Sequence, residues 1–355
     1  MTRRRWTAAP SLLLAALTAG CGALPAALDP AGPQAARVAV LWWWFLGVCA
    51  VVYLLVVGAL AWAAWRGRRR GARRGSPQSA APPAWADDPP ELSADPARER
   101  RLALAVAGAA GATVLILIGL LVGSVITGDA LAGARPEAEL TIHITGRQWW
   151  WEVEYPGEMA SERVITANEI HLPVGAIVHL EMTSADVIHS FWVPRLHGKI
   201  DLVPGRTTHH WLAAERPGVF TGQCAEFCGH QHAHMGLLVV AEPPERFAAW
   251  LAAQRRSAAA PDTAAEARGL EVFLDSSCVL CHAIRGTPAG GRTAPDLTHV
   301  ASRATLAAGT LANTPGHLGG WILDSQGVKP GNRMPPNALS GEELQALLAY
   351  LESLR

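Results

Sequence analysis

Charged side chains are scarce in this sequence, 17 % of 355 residues, and neither sign prevails, since thirty lysines and arginines stand against thirty aspartates and glutamates. Such a balance excludes the broad positive field of a nucleic-acid binder and gives no reason to expect a strongly acidic substrate. Sulfur is scarce too, with six cysteines and five methionines in the whole chain, so any place where they crowd together carries information. What is abundant is apolar: half of the residues are hydrophobic and fourteen are tryptophan. That profile points to a membrane-attached protein with room for two or three domains.

The opening "MTRRRWTAAPSLLLAALTAGCG" sets three arginines before a short apolar core and small residues ahead of Cys21. This is the order of an export signal over residues 1–21, too short to span a bilayer. Cys21 follows "LTAG", which resembles a lipoprotein cleavage site with Thr18 where an aliphatic residue usually stands. Acylation and plain cleavage both stay open. Two longer apolar runs, 38–65 and 102–127, each exceed the ~20 residues of a spanning helix. They predict a transmembrane hairpin over 38–127. The connecting stretch 66–101 carries "RGRRRGARRG" and Arg98, Arg100 and Arg101, and the positive-inside rule makes it a cytoplasmic loop. The chain after residue 128 then lies outside. Cys49, inside the first span, reads as a small apolar residue.

From 137 to 242 the pattern changes to short runs rich in β-formers between Pro and Gly turns, such as "ELTIHITGRQWWWEVEY" and "MGLLVVAE". This predicts a compact antiparallel barrel or sandwich. Residues 243–265 hold a short helix, 245–254, and a linker of Ala, Pro and small polar residues. The last unit, 266–355, opens and closes with helical patterns. Ser340 and Glu343 form a capping box, with Leu344, Leu347, Leu348 and Leu351 on one face. So small an apolar inventory for ninety residues calls for a bound group to complete the core.

"CVLCH", Cys278 to His282, fits the pattern that attaches a c-type haem through two thioethers while His282 coordinates iron. A redox C-x-x-C pair and half a zinc site are the competing readings; export, the trailing histidine and the helical surroundings favour haem. Met334 is the only methionine beyond the motif and the natural distal ligand, with His299 and His317 as competitors. Together "CVLCH", "APDLTHVASR" and "NRMPP" resemble class I cytochrome c, in which the methionine before the last helix is the distal ligand.

"CAEFCGHQHAHMG", 224–236, crowds two cysteines, three histidines and a methionine into thirteen positions. Cys224, Cys228, His232 and Met235 fall at spacings of four, four and three, so one loop can converge them. "TSADVIHSFWVP" adds His189 at the end of a strand-like run. The set is soft and selects copper, and two bridged ions suit it better than one. A disulfide, a zinc site and a single blue copper are the alternatives, though none uses both cysteines and the methionine. His230 and His234 fit no ligand spacing.

With "GRQWWWEVEY", "HGKIDLVPGR" and the membrane hairpin, this pattern resembles subunit II of haem-copper cytochrome c oxidase, over about two thirds of the chain. The remaining third resembles the cytochrome c domain fused to that subunit in certain bacteria. The resemblance implies a two-helix hairpin, an all-β cupredoxin-like domain and a small all-α cytochrome c domain. It implies a binuclear CuA centre on His189, Cys224, Cys228, His232, Met235 and the backbone carbonyl of Glu226. It also implies a magnesium ion on the Glu226 carboxylate, shared with subunit I, and Trp149 as the aromatic position that takes in electrons. Packing alone also explains Trp149. The implied role is a relay from a periplasmic cytochrome c through haem c and copper to subunit I, for oxygen reduction coupled to proton translocation, alongside subunit III in the bilayer. No residue of this chain is expected to be catalytic on oxygen. A CuA-bearing nitric oxide reductase subunit and a copper-delivery membrane protein are the alternatives. The second span departs from the family at its cytoplasmic start, "PARERRLALAVAG", where Glu99 reads as a solvated residue rather than a proton-channel carboxylate.

Overall fold

The computed structural model describes residues 26–73, 96–132 and 137–355, so the expected signal segment and Cys21 lie outside the described residues. The chain divides into two compact units, Arg37–Ala134 and the remainder.

Two helices dominate the first unit. Helix α1, Pro33–Arg73, and helix α2, Pro96–Ala132, run 41 and 37 residues. Each opens on a proline, whose missing N–H costs nothing in a first turn, and Glu99 lies in the first turn of α2, where a carboxylate suits the helix dipole. Both are long and apolar enough to cross a membrane. At ~1.5 Å per residue they outrun a ~30 Å hydrocarbon layer. The expected loop is thus helical at both ends, because arginine is a good helix former and can cover aromatic faces from the next turn. Arg66 lies 5.1 Å from the Trp62 ring and Arg69 3.8 Å from that of Trp65. Cys49 and Glu99 are exposed.

The second unit carries a β-sandwich. One sheet is ordered β3-β2-β1-β5-β8, from β1 (Leu140–Arg147), β2 (Trp150–Tyr155), β3 (Val164–Ala167), β5 (Val178–Ser184) and β8 (Thr208–Leu212). The other is β4-β10-β9-β6-β7, from β4 (Glu169–Pro173), β6 (His189–Trp192), β7 (Ile200–Leu202), β9 (Gly218–Cys224) and β10 (Gly236–Glu242). Alternation decides what is buried: Ile142 and Ile144, Trp151 and Val153, Leu180 and Met182, and Val239 are all fully enclosed. Each large apolar side chain contributes about 1.5–3 kcal/mol relative to exposure.

The sheets are not purely antiparallel, which corrects the expectation. β1 pairs with β5, and β10 with β4, in parallel. Both pairs join strands that are not consecutive, and the intervening chain supplies the crossover a parallel pair needs. The weakly patterned strands β7 and β9 complete the second sheet. Residues 31–34 lie on the sandwich, with the Ala31 N–H on the Arg195 carbonyl at 2.7 Å and the Gln34 amide on that of Trp211 at 2.8 Å.

Helix α3, Pro244–Gln254, follows β10. Trp250 stacks on His171 with centroids 4.0 Å apart. The chain beyond is pinned rather than loose, since the Ala258 N–H reaches the Arg285 carbonyl and the Arg285 guanidinium reaches those of Gln254 and Arg255.

The helical domain is framed by α4 (Ala264–Asp275) and α7 (Gly341–Ser353). Thr263 caps α4, and the Ser340–Glu343 capping box is formed. The two helices cross at Gly269, where a Cβ would lie 2.0 Å from the Ala346 carbonyl oxygen, so only glycine permits the approach. Leu347, Leu348 and Leu351 are buried there with Phe273 and Tyr350, while Leu344 packs at the edge. Between them lie the hairpin β11 (Thr305–Leu306) and β12 (Leu311–Ala312) and the helices α5 (Pro315–Leu323) and α6 (Ser325–Val328).

Candidate metal centres

The soft-ligand cluster forms where β6 and β9 pair. Phe191 faces Cys224 across that ladder, which brings His189, at the start of β6 rather than the end of a strand, beside the end of β9. The loop after β9 then turns back. Its Cys224 N–H donates to the Met235 carbonyl and the Ala225 N–H to that of Ser190, both at 2.9 Å. The five predicted side chains converge. The sulfurs of Cys224 and Cys228 lie 3.8 Å apart, His189 Nδ1 is 3.9 Å from Cys224, and His232 Nδ1 and Met235 Sδ are 3.5 and 3.8 Å from Cys228. The Glu226 carbonyl oxygen is 3.2 Å from Cys224 Sγ. His189, both cysteines and Met235 are buried.

This arrangement discriminates among the alternatives. Both thiols are free, and their separation is far beyond the ~2.05 Å of a disulfide. A structural zinc takes four donors, whereas two sulfurs, two imidazoles, a thioether and a carbonyl make six. Six donors, most of them soft, exceed what one ion usually takes and suit copper by their chemistry. The two thiols perturb each other: a hydrogen bond from Cys228 holds Cys224 well below its ordinary range, and the same closeness pushes Cys228 up.

Asp186 orients the cluster and was not anticipated. Its Oδ1 accepts from His189 Nε2 and the Val187 N–H, each at 2.8 Å, and its Oδ2 from the Gln148 N–H at 2.7 Å. The carboxylate is acceptor-only, so in the neutral ring the proton sits on Nε2 and Nδ1 is the nitrogen turned toward the sulfurs. Burial opposes charge on Asp186, but the Gln148 N–H, His189 and the Val187 N–H outweigh it and lower its pKa. Burial likewise opposes charge on His189, and Cys224 and Asp186 together raise it.

The C-x-x-C-H stretch begins in a 3-10 turn, Ser277–Leu280, which Cys281 ends, with Ser276 accepting from the Cys278 N–H. The Cys281 and His282 N–H groups both return to the Cys278 carbonyl, so the two thiols and the imidazole leave one tight turn. His282 Nδ1 contacts the Pro295 carbonyl at 2.7 Å, leaving Nε2 for a metal. Burial lowers the His282 pKa and favours the neutral, ligating ring. A cavity of about 570 Å³ is lined by Cys278, Cys281, His282 and Met334, within the ~300–1,000 Å³ usual for cofactors. Met334 is held by Ser325 Oγ and Gln326 Nε2, both donating to its carbonyl. His299 has both ring nitrogens on carbonyls, of Arg355 and Arg256, and His317 is exposed. Neither lines that cavity.

Trp149 and Trp150 of the sandwich line the same cavity. The Trp149 indole N–H donates to the Cys228 carbonyl at 3.0 Å, alongside the Gln148 amide at 2.8 Å. One aromatic side chain therefore reaches the main chain of the cysteine loop and also lines the cavity beside the C-x-x-C-H turn. Glu226 is partly exposed, while His230 and His234 are exposed.

Two family profiles match, one for the periplasmic domain of cytochrome c oxidase subunit II over residues 156–242 and one for cytochrome c over 266–355. Cytochrome c oxidase subunit 2 of Alkalihalophilus pseudofirmus is 39 % identical over 68 % of this chain and 70 % of its own length. The subunit 2 of Bacillus sp. strain PS3 is 32 % identical over 68 % and 72 %. Among solved structures, the periplasmic domain of subunit II of cytochrome oxidase from Bradyrhizobium japonicum aligns at 34 % identity and a TM-score of 0.33, covering 34 % of this chain and 97 % of that one.

Proposed function

Because this chain belongs to the cytochrome c oxidase subunit II family and carries a cytochrome c domain, we propose that it is the electron-accepting subunit of the oxidase, serving a binuclear CuA centre and a covalent haem c. When bound, these groups supply reversible one-electron chemistry, linking a periplasmic cytochrome c to subunit I, where oxygen is reduced to water with proton translocation. The observation that carries the reading is the convergence of six donors at Cys224 and Cys228, joined through Trp149 to the wall of a haem-sized cavity.

His189, Cys224, Cys228, His232, Met235 and the Glu226 carbonyl would hold the copper pair. Cys278 and Cys281 would form the thioethers, and His282 and Met334 would hold the iron. Asp186 and the Pro295 carbonyl hold the two strand and turn histidines in one orientation, so little rearrangement accompanies a change of metal charge. Trp149 lies against both sites and serves electron passage between them. The Glu226 carboxylate would complete a magnesium site shared with subunit I, and subunit III would complete the assembly. The arginine-rich connection between the two apolar helices supports, by the positive-inside rule, an orientation with that connection in the cytoplasm and the sandwich and cytochrome domain on the outer side.

The test is optical and paramagnetic resonance spectroscopy of the purified oxidase. Low-spin haem c and a mixed-valence two-copper signal, both assigned to this subunit, are expected. Zinc, a single blue copper or no metal at the cluster would overturn the reading.

A further inference from the structure

The cytochrome domain is joined to the sandwich by more than its covalent connection. Lys329, 3 % exposed, lies five residues before Met334. Its ammonium donates to the carbonyls of Trp149 at 2.9 Å and His234 at 2.8 Å on the sandwich, and of Ala307 at 3.1 Å on its own domain. No carboxylate is among these partners, so its three N–H donors all go to main chain. The reverse contact comes from Glu169, 5 % exposed at the start of β4. Its Oε1 accepts from the N–H groups of Ala304 at 2.7 Å and Thr305 at 3.1 Å in the cytochrome domain.

The turn beside these contacts is strained. Ala307 and Ala308 have φ of 52° and 57°, a left-handed conformation that alanine keeps only where its surroundings over-determine it. The Ala307 carbonyl receives Lys329, and the Ala308 carbonyl receives the Gly236 N–H at 2.9 Å. The Gln231 amide adds a bond to the Pro330 carbonyl at 2.7 Å. Arg333, next to Met334, reaches Gln148 Oε1 at 3.4 Å.

We infer that Lys329 and Glu169 form a reciprocal clasp, each domain sending one buried charge into the main chain of the other, and that it seats Trp149 at the haem cavity. Internal electron transfer then proceeds across a fixed contact rather than by repeated docking of a tethered domain. This rests on the proposed relay. A tether alone would supply an effective concentration of order mM and leave the step gated by diffusion. Both residues are positioning residues, acting through the main chain that they hold.

The test uses the complete oxidase with Lys329→Met, Glu169→Ala and the conservative Glu169→Gln, which keeps an oxygen for the Ala304 N–H. Hydrogen exchange is read at Ala304, Thr305 and Gly236, and flash-initiated haem-to-copper transfer is timed in buffers of rising viscosity. Haem and copper spectra should match the wild type throughout. Exchange should quicken about 10-fold or more in Lys329→Met and Glu169→Ala, with Glu169→Gln close to wild type. The transfer rate should ignore viscosity in the wild type, and become slower and viscosity-dependent in the two disruptive variants. Unchanged exchange and rates in both, or a wild-type rate that already falls with viscosity, would overturn the clasp. A wild type lacking either metal signal would instead sink the relay, while the exchange data would still decide whether the clasp exists.

Discussion

Asp186→Asn tests how the cluster is held. Asp186 satisfies three donors with two oxygens: His189 and Val187 at Oδ1 and Gln148 at Oδ2. Asparagine can keep its oxygen toward His189 and Val187, but its NH₂ then meets the Gln148 N–H, donor against donor. One buried hydrogen bond is lost, at a cost of about 1–3 kcal/mol, and the bond from His189 loses its charge assistance. The imidazole becomes a weaker donor through Nδ1, and orienting partners of this kind typically change metal affinity about 10–100-fold. We therefore expect the oxidase to bind copper at this site 10–100-fold more weakly, measured by competition with a chelator, with an altered paramagnetic signal and an unchanged haem spectrum. Wild-type copper retention in both Asp186→Asn and Asp186→Ala would refute the reasoning, because it would leave His189 oriented without its carboxylate.

Trp149→Phe should leave the copper spectrum intact, since the Gln148 amide still satisfies the Cys228 carbonyl, yet slow haem-to-copper transfer severalfold; an unchanged flash-photolysis rate would remove Trp149 from the path. Met334→Ala should abolish the methionine-specific haem absorption and lower the haem potential in a redox titration with copper unaffected, and an unaltered spectrum would move the distal ligand elsewhere. Burial first, and then the neighbouring His210, lowers His197 from its ordinary value near 6.5 to about 3, while burial takes His210 to about 4. The unfolded chain therefore takes up protons that the native one refuses as pH falls below 6.5. Stability should decline on the acid side by about 1.4 kcal/mol per pH unit for each such histidine, down to its folded value. His197→Leu should flatten that limb in thermal unfolding between pH 7 and about 4.5, and parallel curves would show that His197 does not set it.

Much of the architecture was legible because its signals are local. Apolar runs longer than a bilayer, alternation in β1, β2 and β10, and the Ser340–Glu343 box each depend on neighbours a few positions away. The same holds for Cys278, Cys281 and His282, which leave one turn, and for Cys224, Cys228, His232 and Met235, which leave one loop. The parallel pairings of β1 with β5 and β4 with β10 were not legible, since direction depends on which distant strand fills the neighbouring place. The helical ends of the connection were not legible either, because a run of arginines fits a solvated loop and a helix equally well. Asp186 could have been found three residues before His189, but nothing local told a carboxylate that orients a ligand from a solvated one.

Composition and spacing by themselves determined which chemistry this chain can hold: two membrane-length apolar helices, a soft-metal loop and a haem-attachment turn, all written within short windows. Tertiary structure alone decided how those parts act together. It brought His189 beside Cys224, set the two sulfurs too far apart for a disulfide, and laid the Trp149 indole against the Cys228 carbonyl and the wall of the cavity. It also buried Lys329 and Glu169 in each other's domains. Those relations span up to 180 residues of chain, and such contacts exist only once packing has brought desolvated donors and acceptors face to face.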